Sequence, residues 1–213
     1  MDNQARQRAK DHFPAVLLTL LSIVQAIALE LLWGHVVEAA HLRALTLDAM
    51  VGWGQVLATL LGIVLVWVVY AGNVMRFRWV PAITDSVYPF LIGVVEFAMV
   101  EFLQSRSPGL WLLALGLAFG VMTWISQITM RRARYDDDNA QFFEGIPKAT
   151  LADFYPHIIG FGVLACAGLG LAIFDPGLMV VGPVVLAALV FLLRQFRIAE
   201  HFWNTSMALP TGR

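Results

Sequence analysis

Charge is scarce in this chain. Only 14% of its 213 residues are Asp, Glu, Lys or Arg, against about 25% in an ordinary soluble domain. Lysine is nearly missing: Lys10 and Lys148 are the only two. Neither lies within an apolar run, which excludes the buried lysine of a retinal Schiff base. No run carries the regularly spaced arginines of a voltage sensor, and no T-V-G-Y-G potassium filter is present. The net charge of −1 argues against a nucleic-acid partner. The single cysteine, Cys166, excludes an internal disulfide. It reads as a small packed residue.

Apolar sequence fills the space that charge leaves. Hydrophobic residues make up 59% of the chain, and the mean hydropathy is +0.73. Six stretches hold few or no ionisable groups: Phe13–Trp33, Val51–Tyr70, Val87–Leu103, Leu110–Met130, Phe154–Phe174 and Leu178–Leu193. A helix needs roughly 20 residues to cross about 30 Å of hydrocarbon. The third and sixth runs reach that length only by taking in flanking polar residues, Asp85 and Ser86 or Arg194 and Gln195. The first run is longer than a signal-peptide core of about 7–15 residues, so a retained first span is expected. The predicted fold is all-α: a polytopic membrane protein of six transmembrane helices in three hairpins, about 11–75, 85–132 and 153–200. One membrane domain, 1–213, takes up the whole chain.

The basic residues give this topology a direction. Arg6, Arg8 and Lys10 precede the first span, and Arg76 and Arg78 follow the second. Arg131, Arg132, Arg134 and Lys148 follow the fourth, and Arg194, Arg197 and Arg213 close the sixth. Only Arg43 and Arg106 fall in connections on the other side. By the positive-inside rule both termini are expected in the cytoplasm. The expected location is the inner (plasma) membrane of a bacterium, with the lipid bilayer as a partner.

The hairpins resemble one another. Each opens with an aspartate, an aromatic residue and a proline: Asp11-His12-Phe13-Pro14, Asp85-Ser86-Val87-Tyr88-Pro89 and Asp153-Phe154-Tyr155-Pro156. Aspartate suits an N-cap and proline a first helical turn. Tyr88-Pro89-Phe90-Leu91-Ile92-Gly93 parallels Tyr155-Pro156-His157-Ile158-Ile159-Gly160, and Ser107-Pro108-Gly109-Leu110 parallels Asp175-Pro176-Gly177-Leu178. The offset stays at 67 or 68 residues. A parallel duplication of a two-helix unit is expected, unlike the inverted repeats of many transporters. Between the second and third hairpins, Asp136-Asp137-Asp138-Asn139 lacks the glycine of an EF-hand loop. A short interfacial helix between Asn139 and Glu144 is expected there, with Phe142 and Phe143 dipping into lipid.

Against this apolar background the polar residues inside the spans stand out. Glu96 lies about 12 Å into the third span, counted at 1.5 Å per residue. A charge at the bilayer centre costs roughly 2.5–3.5 kcal/mol on insertion scales. No Lys, Arg or His stands at that depth in the sequence. Three things relieve the cost: protonation, contact with water, or a bound cation. Val163 occupies the matching position of the third hairpin, so the acid is not needed to build the unit. Gln25, Glu30, Gln55, Glu101 and Gln104 extend a polar path from the far surface towards Glu96. The leading expectation is a channel or transporter subunit for protons, cations or a small polar solute, with a homo-oligomer or a larger membrane complex as its assembly. The alternatives are a structural or accessory subunit of a larger membrane complex, and a membrane redox or haem protein. Enzymatic activity is not the favoured reading, and no pattern specifies a cofactor.

Two histidine groups are the weak metal candidates. His35, Glu38 and His41 have i, i+3, i+6 spacing, and the two histidines diverge on a helix. The converging H-E-x-x-H order is absent. His12, His157 and His201 fall at the basic end, where neutral imidazoles suit haem or metal. Glycine and alanine are frequent in spans four to six. Gly116, Gly120, Gly160, Gly162, Ala165, Gly168, Gly170 and Ala172 are expected to let backbones approach closely.

Overall fold

In the computed structural model, residues 3–148 and 150–207 are described, and among them there is helix but no strand. Asp153, Phe154 and Arg213 of the sequence patterns above fall outside the described side chains. Six helices are long and apolar enough to cross a membrane. They are α1 (Asn3–Glu38), α2 (Leu47–Arg76), α3 (Tyr88–Gln104) together with the 3-10 turn Ile83–Val87 that precedes it, α4 (Pro108–Arg134), α6 (Leu151–Phe174) and α7 (Leu178–Met207). The short α5 (Ala140–Phe143) follows a 3-10 turn at Asp137–Asn139, where an interfacial helix was expected.

Two local expectations need correction. Asp11 and Pro14 do not open a helix. α1 begins at Asn3 and carries Pro14 in its interior. The preceding Gln-Ala-Arg-Gln-Arg-Ala-Lys stretch consists of strong helix formers, and it extends the helix well before the proline. Pro156 likewise lies inside α6. Only Pro89 keeps the expected first-turn place. Phe142 and Phe143 do not turn away to lipid. Their rings pack on Phe77 at 4.8 and 5.7 Å, and the Arg134 guanidinium lies 4.9 Å from the Phe143 ring. Their packing covers the apolar Phe77 side chain, which is 2% exposed, and that burial stabilises the inward placement.

Helices α1 to α4 form a central bundle. One layer of its core joins Leu17 and Leu21 of α1, Val66 and Tyr70 of α2, Ile92 of α3, and Met122 and Ile125 of α4. A second layer runs through Ala28, Met99, Trp111 and Leu115 and reaches α6 and α7 through Leu164, Leu171, Val181 and Val185. α6 packs along α4, and α7 packs along α2. The third hairpin therefore differs from the second. α3 and α4 lie against each other, whereas α6 and α7 barely touch although only three residues link them.

Small residues set these crossings. A Cβ on Gly109 would stand 2.4 Å from the Ala172 backbone nitrogen, and one on Gly168 would stand 2.9 Å from Leu113 N. The α4 and α6 backbones are thus in near contact. Outward-facing residues such as Val94, Ile159, Val163 and Leu186 are all more than 60% exposed. Apolar exposure spread over every peripheral helix suits a hydrocarbon surround.

Ion pairs gather at the end that carries both termini. Lys10 bonds Asp136 at 2.6 Å and Asp138 at 3.2 Å, Arg78 pairs with Asp11, and Arg132 pairs with the buried Asp85. Asp85 also accepts from Ala82 N at 3.0 Å. Asn139 bonds both the Arg78 backbone carbonyl and amide, at 2.5 and 3.0 Å. At the opposite end Arg106 holds Asp48 at 2.5 Å. There the α1–α2 connection folds back as a 3-10 turn over Ala40–Arg43, and Trp53 Nε1 donates to Leu42 O at 2.9 Å.

Candidate functional site

Glu96 lies near the middle of α3 and is wholly buried, at 0% exposure. Gly93, one turn earlier, lets α1 close over it. A Cβ there would meet Val24 Cγ1 at 2.2 Å. The close approach brings Gln25 of α1 to the acid. Gln25 Nε2 donates to Glu96 Oε1 at 2.8 Å and to the Ile63 carbonyl of α2 at 3.0 Å. Three helices are tied by one carboxamide, both of whose protons are used. Glu96 Oε2 is buried and has no hydrogen-bond partner among the described residues.

That bare oxygen decides what the arrangement can do. If Glu96 is neutral and its proton sits on Oε2, the hydroxyl has no acceptor. If it is charged, half of the carboxylate has no donor among the described residues. Either form leaves a buried polar group unmet, at a cost of roughly 1–3 kcal/mol or more for a charged group. Orphaned groups of this kind are uncommon in folded proteins and call for a physical reason.

The other residues of the expected path are placed differently. Glu30, Glu101 and Gln104 are exposed, and Gln55 is half-buried. Gln25 stands level with Glu96, not further out, because the apolar runs of α1 and α3 do not begin level with each other. Glu101 turns away because five residues advance a helix by about 140° beyond a full turn. The structure thus joins Gln25 to Glu96 and leaves the remaining four nearer the surface.

A second buried polar link escaped the sequence reading. Trp111 Nε1 of α4 donates to Thr59 Oγ1 of α2 at 2.9 Å, and Thr59 donates to the Gln55 carbonyl at 2.9 Å. Threonine and tryptophan inside apolar runs give no sequence signal, because both are ordinary residues of a span.

The histidine groups do not assemble. His35 is buried with its ring centroid 6.2 Å from that of His41, and Glu38 is exposed. His12 and His201 are exposed, and His157 stacks on Phe119 at 5.9 Å. Among the described residues no three His, Cys, Asp or Glu side chains are placed to hold a metal ion.

Known proteins offer no parallel. No family model, curated protein or solved structure matches the chain. Any functional reading therefore rests on this chain's own chemistry, with Glu96 at its centre.

Proposed function

We propose that this chain is a membrane channel or transporter subunit that handles protons, cations or a small polar solute, with Glu96 as its working acid. The observation that carries this reading is the half-satisfied carboxyl group. A plain tie between α1, α2 and α3 needs one acceptor for Gln25, and a glutamine at 96 would supply it. The second, unpartnered oxygen is a place where a proton or cation can be taken up and given back. Glu30, Glu101 and Gln104 supply exposed polar groups towards the opposite end. The basic end faces the cytoplasm of a bacterial inner membrane in this reading, and the second and third hairpins descend from one duplicated unit.

A second reading has its own observation. No surface of Glu96 is exposed, and Ile92, Met99 and Val100 nearby are buried and apolar. A sealed acid also fits an interhelical tie in a structural subunit of a larger complex. One substitution separates the two. Glu96→Gln keeps an acceptor for Gln25 and removes the titrating group. Loss of flux in a folded Glu96→Gln protein supports transport, and unchanged flux supports the tie.

A further inference from the structure

α6 and α7 start from a shared turn, Asp175–Gly177, at one end of the bundle and straddle α2 and α4. Phe119 and Phe191 close the gap midway, ring centroid to ring centroid at 5.0 Å, and Gly160 admits the Phe191 ring. Below that plug a cleft of about 780 Å³ opens along α2, α4 and α7 towards the basic end, with His157 the one described residue of α6 that lines it. This lies within the roughly 300–1,000 Å³ of small-molecule sites. Along α2 the cleft is lined from Gly62 to Arg76, a length of roughly 21 Å at 1.5 Å per residue. One leaflet with its headgroups is about 20–22 Å, half of a bilayer of 40–45 Å.

The walls are apolar in depth and polar at the mouth. Leu65, Met122 and Phe196 lie along the apolar part. At the mouth stands Arg76, whose guanidinium donates to the Gly72 carbonyl, Asn73 Oδ1 and Ser206 Oγ and lies 4.2 Å from the Phe202 ring centroid. Its bonds are all to neutral groups, and it forms no ion pair among the described residues. Glu200 lines the same mouth but is exposed. On the facing wall His157 Nδ1 is buried without a hydrogen-bond partner among the described residues. A half-buried cation whose hydrogen bonds all go to neutral groups and a buried imidazole nitrogen sit over an apolar slot one leaflet long. This pattern is complementary to one kind of occupant.

We infer that this cleft is a binding site for an anionic phospholipid, with an acyl chain along α2, α4 and α7 and the phosphate at Arg76. His157 meets the ester oxygens of the glycerol backbone, which lie just below the phosphate in such a lipid. Planar guanidinium groups favour phosphate through paired charge-assisted hydrogen bonds. The site does not involve Glu96, so its failure would leave the transport proposal standing, and the reverse holds.

The test is native mass spectrometry of the full chain. The protein is stripped of lipid in mild detergent and equilibrated with an equimolar mixture of phosphatidylglycerol and phosphatidylcholine. One phosphatidylglycerol per chain is the expected result, retained in preference to phosphatidylcholine. Arg76→Gln should lower that retention at least about tenfold and leave phosphatidylcholine unchanged, while Arg76→Lys keeps part of the preference. Thr123→Trp, which fills the slot without touching the charge, should expel both lipids. This variant decides the matter if Arg76→Gln fails to fold. Millimolar inorganic phosphate should not displace the lipid. Equal retention of the two lipids, indifference to Thr123→Trp, or displacement by free phosphate would each overturn the assignment.

Discussion

Consider alanine substitutions along one face-to-face pair of helices. Gly168 and Gly170 lie one turn apart or less on α6, yet their surroundings are opposite. A methyl group at 168 would sit 2.9 Å from Leu113 N and 3.0 Å from Gly109 O, whereas at 170 it would meet nothing within 4 Å. Ordinary van der Waals contact begins near 3.4 Å, so the Gly168 methyl group is half an ångström short of room. Leu113 Cγ, also at 2.9 Å, belongs to a side chain, but the two backbone atoms cannot swing aside. α4 and α6 must separate, and overpacking of this kind costs about 1–3 kcal/mol. At Gly170 the only change is the helical preference of alanine over glycine, a gain of about 0.5–1 kcal/mol. Gly168→Ala should therefore lose stability and Gly170→Ala should gain it. Gly162, also open to space, should follow Gly170. The assay is reversible unfolding in detergent micelles, with helicity and tryptophan fluorescence read together. Equal shifts of one sign for Gly168→Ala and Gly170→Ala would refute the close α4–α6 crossing.

Two further outcomes follow from the buried polar contacts. Trp111→Phe removes the bond to Thr59 and also shrinks a fully buried indole to a phenyl ring, so it should cost more than the roughly 0.6–1.7 kcal/mol seen for hydrogen bonds between membrane helices. Making Thr59→Val in the same protein should add little, which a double-mutant cycle of unfolding free energies will read. Asp85→Ala leaves Arg132 without its partner and the Ala82 amide without its acceptor. About 2–4 kcal/mol should be lost, together with greater protease sensitivity of the segment between α2 and α3.

The helical membrane architecture was legible because the bilayer imposes it. Six apolar runs in a chain this poor in charge leave little other choice. The ends of the helices were less legible. Apolar runs mark the hydrocarbon boundary, but α1 begins before Phe13 and α7 continues to Met207, since helix formers extend beyond the membrane edge. Glu96 announced itself through its cost, and Gln25 was flagged without its partner. Their pairing depends on the Gly93–Val24 contact, which periodicity along one helix does not contain. The splayed α6–α7 pair was hidden by the likeness of its sequence to the α3–α4 pair. That likeness lies in the turns and openings, while the gap between α6 and α7 is filled by Phe119 and Phe191 from two different helices. The Arg76 site was hidden for a related reason. In the sequence Arg76 is one basic residue of a topological signal, and only the fold leaves it without an ion pair among the described residues.

The transport proposal stands or falls on Glu96. The most direct measurement is proton flux into proteoliposomes that carry the parent, Glu96→Gln or Glu96→Ala protein, each shown to be folded by its helicity. Flux through the parent and none through either variant is the expected result. Equal flux in all three, or none in any, would contradict a working acid at position 96.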